Sequence, residues 1–192
     1  MAIGVVGGGQ LAWMLADAAA QLGIPVHVQT PGDADPAVRK ASSVVQARLD
    51  DAQATAQLAR RCQAITFENE WLDLEALAPL ATSGVRFLPS LEALEPLVCK
   101  RNQRQLLDRL RLPTPRWCLM PGSGRSLPEG MAFPLMAKAA TGGYDGKGTA
   151  VLRTPADLAA LQRQVEADTW IVEDLVAFEP VSYTHLTLPT KA

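Results

Sequence analysis

At 192 residues, 48% of them hydrophobic, the chain is long enough to bury one or two small cores. Its 18 basic and 20 acidic residues leave a net charge of -2, and 5% aromatic content offers little base-stacking surface, so a nucleic-acid partner is not expected. No apolar run reaches membrane-spanning length, and Met1 leads straight into a strand rather than a signal peptide, which excludes a membrane protein as the first reading.

Ile3–Val6 reads as a β-branched strand, followed by Gly7-Gly8-Gly9-Gln10 and an apolar-periodic helix. Leu11, Met14, Leu15, Ala18 and Leu22 fall on one helical face and are predicted to point inward, and Gly23 is placed to end the helix before the strand Ile24–Val28. In such a strand, glycine turn, helix unit the N–H groups at the helix start can hold a phosphate; otherwise the glycines serve only close helix–strand packing. Gly7-x-Gly9-x-x-Ala12 meets a loose dinucleotide pattern, but Gln29-Thr30 stands where that pattern wants an acid, which disfavours NAD. Val44–Gln46, Ala64–Phe67 and Val85–Leu88 read as further strands. Between them, Ala52–Arg61 and Trp71–Leu80 read as helices, the second with Leu72, Ala76, Leu77 and Leu80 inward. This alternation predicts an α/β fold with an open, mostly parallel sheet whose ligands sit off the carboxyl ends of the strands. Glu68-Asn69-Glu70 lies at such an end, either as a substrate-lining segment or as a polar turn capping the next helix.

Pro89-Ser90 opens a short helix through Leu97, and Lys100–Leu110 forms the next, with Leu106, Leu107 and Leu110 as its apolar face. Leu112-Pro113-Thr114-Pro115 is a stiff extended joint, consistent with a domain boundary nearby. Trp117–Met120 and Phe133–Lys138 read as strands around a Pro121–Gly130 loop. Lys138 then introduces a stretch with glycines at 142, 143, 146 and 148, closed by the strand Thr149–Leu152. Two strands joined by such a loop form a flap whose backbone N–H groups can fold over an anion; an ordinary hairpin is the plain alternative. The spacing fits neither a P-loop, which must open a helix, nor a kinase glycine loop, which precedes its lysine. Thr154-Pro155 starts a helix to about Ala167, with Leu158, Leu161 and Val165 inward, and Trp170–Val176 is the last strand. Cys62, Cys99 and Cys118 are too widely spaced for a disulfide framework or a zinc site and are expected to be reduced thiols of a cytoplasmic protein. His27 and His185 make no ligand pair.

Lys138 followed by Thr141-Gly142-Gly143-Tyr144-Asp145-Gly146-Lys147-Gly148 resembles the nucleotide flap of ATP-grasp ligases. The narrower resemblance, carried also by Gly7-Gly8-Gly9-Gln10-Leu11 and Thr66-Phe67-Glu68, is to the N5-carboxyaminoimidazole ribonucleotide synthetases. It implies a Rossmann-like pre-ATP-grasp domain at 1–97 and the first lobe of an ATP-grasp domain at 98–180. On the substrate side it implies Gly8, Gly9, Gln10, Leu11 and Glu68, with the turn able to contact the substrate's phosphate. Glu70 stands where the family pattern departs and receives no role. On the ATP side it implies Lys100, which starts its helix, and Lys138, which pairs with the α- and β-phosphates. Gly143, Tyr144, Asp145, Gly146, Lys147 and Gly148 form the flap, and Glu173, Asp174, Leu175 and Val176 flank the adenine. Lys147 either approaches the β/γ end or lies in solvent.

The resemblance further implies ATP and Mg²⁺ as cofactors, aminoimidazole ribonucleotide and bicarbonate as substrates, a homodimeric parent and a place in purine biosynthesis. Family members are longer than this chain. The catalytic residues and the Mg²⁺ ligands belong to the half that would follow, and a ribose-binding glutamate belongs where Val181 stands. The chain is therefore expected to be an inactive N-terminal fragment. Val181–Ala192 back-translates to a transposase-type sequencing adapter and is expected to be a non-native tail, the alternative being a genuine tail of mixed composition. Two other functions stay open: a different ATP-grasp ligase, such as a formate-using glycinamide ribonucleotide transformylase, and a non-catalytic nucleotide-binding module.

Overall fold

The structure, a computed structural model, describes residues 1–142 and 148–177. The chain divides into two compact units, Met1–Thr114 with Ala139–Gly148, and Pro115–Lys138 with Thr149–Ala192.

The first unit is built on a four-stranded sheet of order β3-β2-β1-β4, from β1 (Ile3–Val6), β2 (Val26–Thr30), β3 (Ser43–Gln46) and β4 (Ala64–Phe67). Every pairing is parallel, as the alternation of strands and helices predicts, with Val5 opposite Val28 on one side and Thr66 on the other. Successive side chains of β1 leave opposite faces of the sheet, so both faces need cover. Val5 packs with Val26, Val28 and the alanines of α1 (Gln10–Gln21). Val6 packs with Ile65 and Phe87, and with Ala54 and Leu58 of α2 (Ala52–Ala59), Leu77 of α3 (Leu74–Thr82) and Leu91 of α4 (Leu91–Val98). A helix α5 (Lys100–Arg109) follows.

Four local expectations are corrected in this unit. The buried face of α1 is Ala12, Ala16 and Ala19, whereas Leu11 is 60% exposed, Met14 51% and Leu22 75%. The helix is apolar nearly all round, and the small-residue stripe wins because it lets the helix axis approach the sheet closely. Helix α3 starts at Leu74 rather than Trp71, because the Asp73 carboxylate accepts from the Ala76 N–H at 3.0 Å and caps it there. The segment at 85–88 contributes a single parallel bridge, Phe87 to Ile65, rather than a full strand. No residue of α5 is buried; Leu106 and Leu107 are half-buried and Leu110 is 58% exposed.

The second unit holds a four-stranded sheet of order β5-β8-β6-β7, from β5 (Trp117–Leu119), β6 (Leu135–Ala139), β7 (Thr149–Leu152) and β8 (Trp170–Asp174). The β5–β8 and β6–β7 pairs are antiparallel, with Lys138 opposite Thr149 and Trp117 opposite Glu173. Met120, Leu135, Ala137, Leu152 and Val172 form its core with Leu158 of α6 (Pro155–Gln162). The expected Thr154 cap is present: its hydroxyl accepts from the Asp157 N–H at 3.2 Å, and Asp157 accepts from the Thr154 N–H at 2.9 Å. The helix stops at Gln162, short of Ala167, and Ala167–Thr169 forms a separate 3₁₀ turn. Strand β8 stops at Asp174, so Leu175 and Val176 lie beyond it, 37% and 50% exposed.

Candidate functional site

Off the carboxyl ends of β1, β2 and β4 the first unit carries a cleft of about 350 Å³, where parallel sheets place their ligands. Its lining includes Gly8, Gly9, Gln10, Leu11, Thr30, Asp35, Glu68, Asn69 and Trp71. All five residues expected on the substrate side therefore border one cavity. Glu68 is held at the end of β4 by its own N–H, which donates to the Val6 carbonyl at 3.0 Å. Its carboxylate accepts from the N–H groups of Gly9 at 2.7 Å, Leu11 at 3.1 Å and Ala12 at 3.2 Å. A carboxylate at a helix N-terminus gains both hydrogen bonds and the helix dipole. Glu68 thus caps α1, not the helix that follows it in sequence.

Glycine is required here because side chains crowd the turn. A Cβ at Gly7, where φ is +133°, would stand 2.3 Å from the Glu68 Cβ, and one at Gly8 would stand 2.3 Å from the Thr30 hydroxyl. That hydroxyl donates to the Asp35 carboxylate, which also accepts from the Gly32 N–H at 3.2 Å. Gln29, beside it, is fully buried and points away from the cleft. Its amide donates to the carbonyls of Arg48 and Asp51, and its oxygen accepts from the Thr55 hydroxyl at 2.7 Å. Thr30 and Asp35 are cleft residues that sequence reasoning missed. Asp35 carries no motif of its own, and the turn of chain that returns it to Thr30 is not a periodic signal.

Lys100 opens α5 in the same unit. Its N–H donates to the Ala140 carbonyl at 2.7 Å, and its ammonium donates to the Gly142 carbonyl at 3.1 Å. The base of the glycine-rich stretch is thereby tied to the start of the helix. Gly148 closes it by accepting from the Ala139 N–H at 2.8 Å, while Gly143, Tyr144, Asp145, Gly146 and Lys147 lie outside the described residues, as does the expected tail at 181–192.

In the second unit the Lys138 ammonium pairs with the Glu173 carboxylate, and the two side chains are 28% and 4% exposed. Such a pair persists in a core only because each partner neutralises the other. Asp174 is tied twice to Arg116: its N–H donates to the Arg116 carbonyl at 2.9 Å, and its carboxylate accepts from the Arg116 Nε at 2.7 Å. Arg116 belongs to no motif, because only the antiparallel register of β5 and β8 brings it to Asp174. Among the described residues no cluster of three or more His, Cys, Asp or Glu side chains could hold a metal ion, and no helix is long and apolar enough to cross a membrane. All three cysteines are free thiols, with those of Cys62 and Cys118 pushed above their ordinary values chiefly by burial.

The family model of the ribonucleotide synthetase preATP-grasp domain matches residues 1–97, half the chain. The chain belongs to that family. A model of the ATP-grasp domain matches residues 105–183. The N5-carboxyaminoimidazole ribonucleotide synthase of Synechococcus elongatus is 49% identical over 179 residues, 92% of this chain but 45% of that protein. The chain thus spans about half the length of the relatives it matches. Among solved structures, the Staphylococcus aureus N5-carboxyaminoimidazole synthetase complexed with ADP is 26% identical with a TM-score of 0.82, over 93% of this chain and 48% of that one. The Aspergillus clavatus N5-carboxyaminoimidazole synthase, in complex with ADP and 5-aminoimidazole ribonucleotide, is 27% identical with a TM-score of 0.78, over 93% and 47%. The preATP-grasp family is thus accompanied here by an ATP-grasp segment, in the order that the sequence resemblance implies.

Proposed function

We propose that this chain supplies the substrate cleft and part of the nucleotide site of an N5-carboxyaminoimidazole ribonucleotide synthase, a ligase of purine biosynthesis. The observation that carries the reading is the glycine turn and Glu68 meeting at one cleft, in a chain 49% identical to a protein of that name. The reaction joins bicarbonate to the exocyclic amine of aminoimidazole ribonucleotide at the expense of ATP. An oxygen of bicarbonate takes the γ-phosphoryl group, giving carboxyphosphate and ADP. The amine then bonds to the carboxyl carbon as phosphate leaves, or to CO₂ released when carboxyphosphate loses its phosphate.

The residues of this chain serve by positioning and charge. Lys138 meets the α- and β-phosphates as a point charge, and Lys100 fixes the base of the flap from the start of its helix. Gly143–Gly148 close over the phosphates and exclude water. Glu173, Asp174, Leu175 and Val176 form the adenine wall, apolar with a few orienting polar groups. Gly8, Gly9, Gln10, Leu11 and Glu68 face the ribonucleotide. The domains are 1–97, the pre-ATP-grasp domain, and 98–180, the first ATP-grasp lobe. Mg²⁺ is expected to be held by residues beyond those described, where it would neutralise charge on the γ-phosphoryl group. The full-length protein is proposed to be a cytoplasmic homodimer, and turnover is assigned to it rather than to these 192 residues.

The test joins residues 1–177 to the matching C-terminal portion of the Synechococcus elongatus relative and measures ADP release. Release that needs both aminoimidazole ribonucleotide and bicarbonate supports the reading. Release that instead needs glycinamide ribonucleotide and formate would replace it with the transformylase, and ADP binding without any turnover would favour a nucleotide-binding module.

A further inference from the structure

We propose that the hollow between α1 and the 3₁₀ turn Pro36–Arg39 is a second ligand site, which takes a small organic oxyanion: a phosphate or carboxylate carried on a flat ring. It is separate from the cleft proposed for the ribonucleotide and does not depend on that reading.

The hollow encloses about 310 Å³ and is bordered by Gln10, Trp13, Ala34, Pro36 and Arg39. That volume lies at the small end of the range for small-molecule sites. Its walls are fixed from behind. Ala37, fully buried in the middle of the 3₁₀ turn, donates its N–H to the Gly8 carbonyl at 2.9 Å, and Trp13 packs against the core cluster that holds Ala37 and Val28. The helix start itself is not on offer, because Gly9, Leu11 and Ala12 already donate their N–H groups to Glu68. Side chains carry this site.

The charge around the hollow is one-sided. Arg39 has no hydrogen-bond or ion-pair partner among the described residues, whereas its neighbour Lys40 is paired with Asp17 at 2.7 Å. Asp35 stands between Ala34 and Pro36 in the chain but borders the other cavity, where its carboxylate is held by the Thr30 hydroxyl and the Gly32 N–H. The lining thus holds one cation and no acid. The Gln10 and Trp13 side chains also have no hydrogen-bond partner among the described residues. Arginine and tryptophan can only donate, and an amide can donate or accept. Donors grouped around an uncompensated guanidinium select an oxyanion, whose two oxygens match the guanidinium fork. The indole and the Pro36 ring supply an apolar surface for a flat body attached to that anion. Gln10 borders the ribonucleotide cleft as well, so it is the wall shared by the two cavities.

The experiment titrates AMP and benzoate, in separate runs, into the isotopically labelled 192-residue chain, with adenosine and inorganic phosphate as controls. The readouts are the Arg39 Nε–H, the Trp13 indole N–H and the Ala37 amide. AMP, benzoate or both should move all three saturably, and the tighter of the two shows whether the anion is a phosphate or a carboxylate. Adenosine should leave them in place. Arg39→Ala, at an exposed position, should weaken binding about tenfold or more through loss of a charge-assisted pair. Trp13→Leu should weaken the ring-bearing probes about fivefold without changing the response to inorganic phosphate. Inorganic phosphate binding as tightly as AMP and benzoate would mean an adventitious ion only and would overturn the proposal. Shifts confined to Glu68, Trp71 or the second unit, or shifts at Arg39 that survive Arg39→Ala elsewhere in the hollow at full affinity, would overturn it too. Failure of the carboxylation assay would sink the functional reading without altering these shifts.

Discussion

The Lys138–Glu173 pair offers a quantitative test of how the strand ends of the second unit are held together. The Glu173 side chain is 4% exposed and that of Lys138 28%, so replacing Lys138 by Met leaves a carboxylate in the core without its ammonium. Breaking a fully buried pair from one side costs roughly 3–5 kcal/mol. Solvent reaches the lysine end here and Glu173 keeps a further interaction, which brings the expected cost down to about 2 kcal/mol. Glu173→Leu should cost less, about 1 kcal/mol, because the long lysine can turn its ammonium out to water. Replacing both with apolar residues should cost about 1 kcal/mol or less, giving a coupling energy of about 2 kcal/mol for the cycle. Urea unfolding followed by tryptophan fluorescence reads this directly, since Trp117 and Trp170 lie in the same unit as the pair. The Lys138→Met midpoint should fall by about 1 M with an unchanged slope. Additive single costs, or a Lys138→Met midpoint within error of the unsubstituted protein, would show that the pair does not hold the strand ends and refute the argument.

Two further outcomes follow from the first unit. Ala16→Leu, at a site 2% exposed against the sheet, should cost about 1–3 kcal/mol by overpacking, while Leu11→Ala at 60% exposure should stay within about 0.5 kcal/mol; chemical denaturation separates them. The His27 imidazole is held below its ordinary value by burial first and by the Arg61 guanidinium second. It shares the Ser43 hydroxyl with that arginine, at 2.8 and 2.9 Å. The unfolded chain therefore takes up a proton near pH 6.5 that the folded chain resists, so stability is full above that pH and falls as pH drops below it. Melting temperature between pH 7.5 and 5.5 should decline less steeply in His27→Gln than in the unsubstituted protein.

Much of the framework was legible because it is local and periodic. The strands β1, β4 and β7 stand where alternation and β-branching put them, and Thr154-Pro155 opens α6 with the cap its residues announce. The face of α1 was not legible, since two apolar stripes coexist and only close approach to the sheet selects the alanines. The capping of α1 was out of reach for a different reason. Glu68 lies 59 residues from Gly9 in sequence, and only the parallel pairing of β1 with β4 brings them together. Arg116 and Asp174, 58 residues apart, meet through the antiparallel pairing of β5 with β8 in the same way. Motifs thus lie at the ends of strands, and sheet register decides which side chains meet there.

The central claim, that these residues serve a carboxylation driven through carboxyphosphate, is tested most directly with ¹⁸O-labelled bicarbonate. The completed protein, joined to the relative's C-terminal portion, would be supplied with ATP, aminoimidazole ribonucleotide and the label, and the released phosphate analysed by mass. Transfer of the γ-phosphoryl group to a bicarbonate oxygen predicts phosphate carrying ¹⁸O. Unlabelled phosphate would mean that water, not bicarbonate, attacks ATP, and would contradict the account.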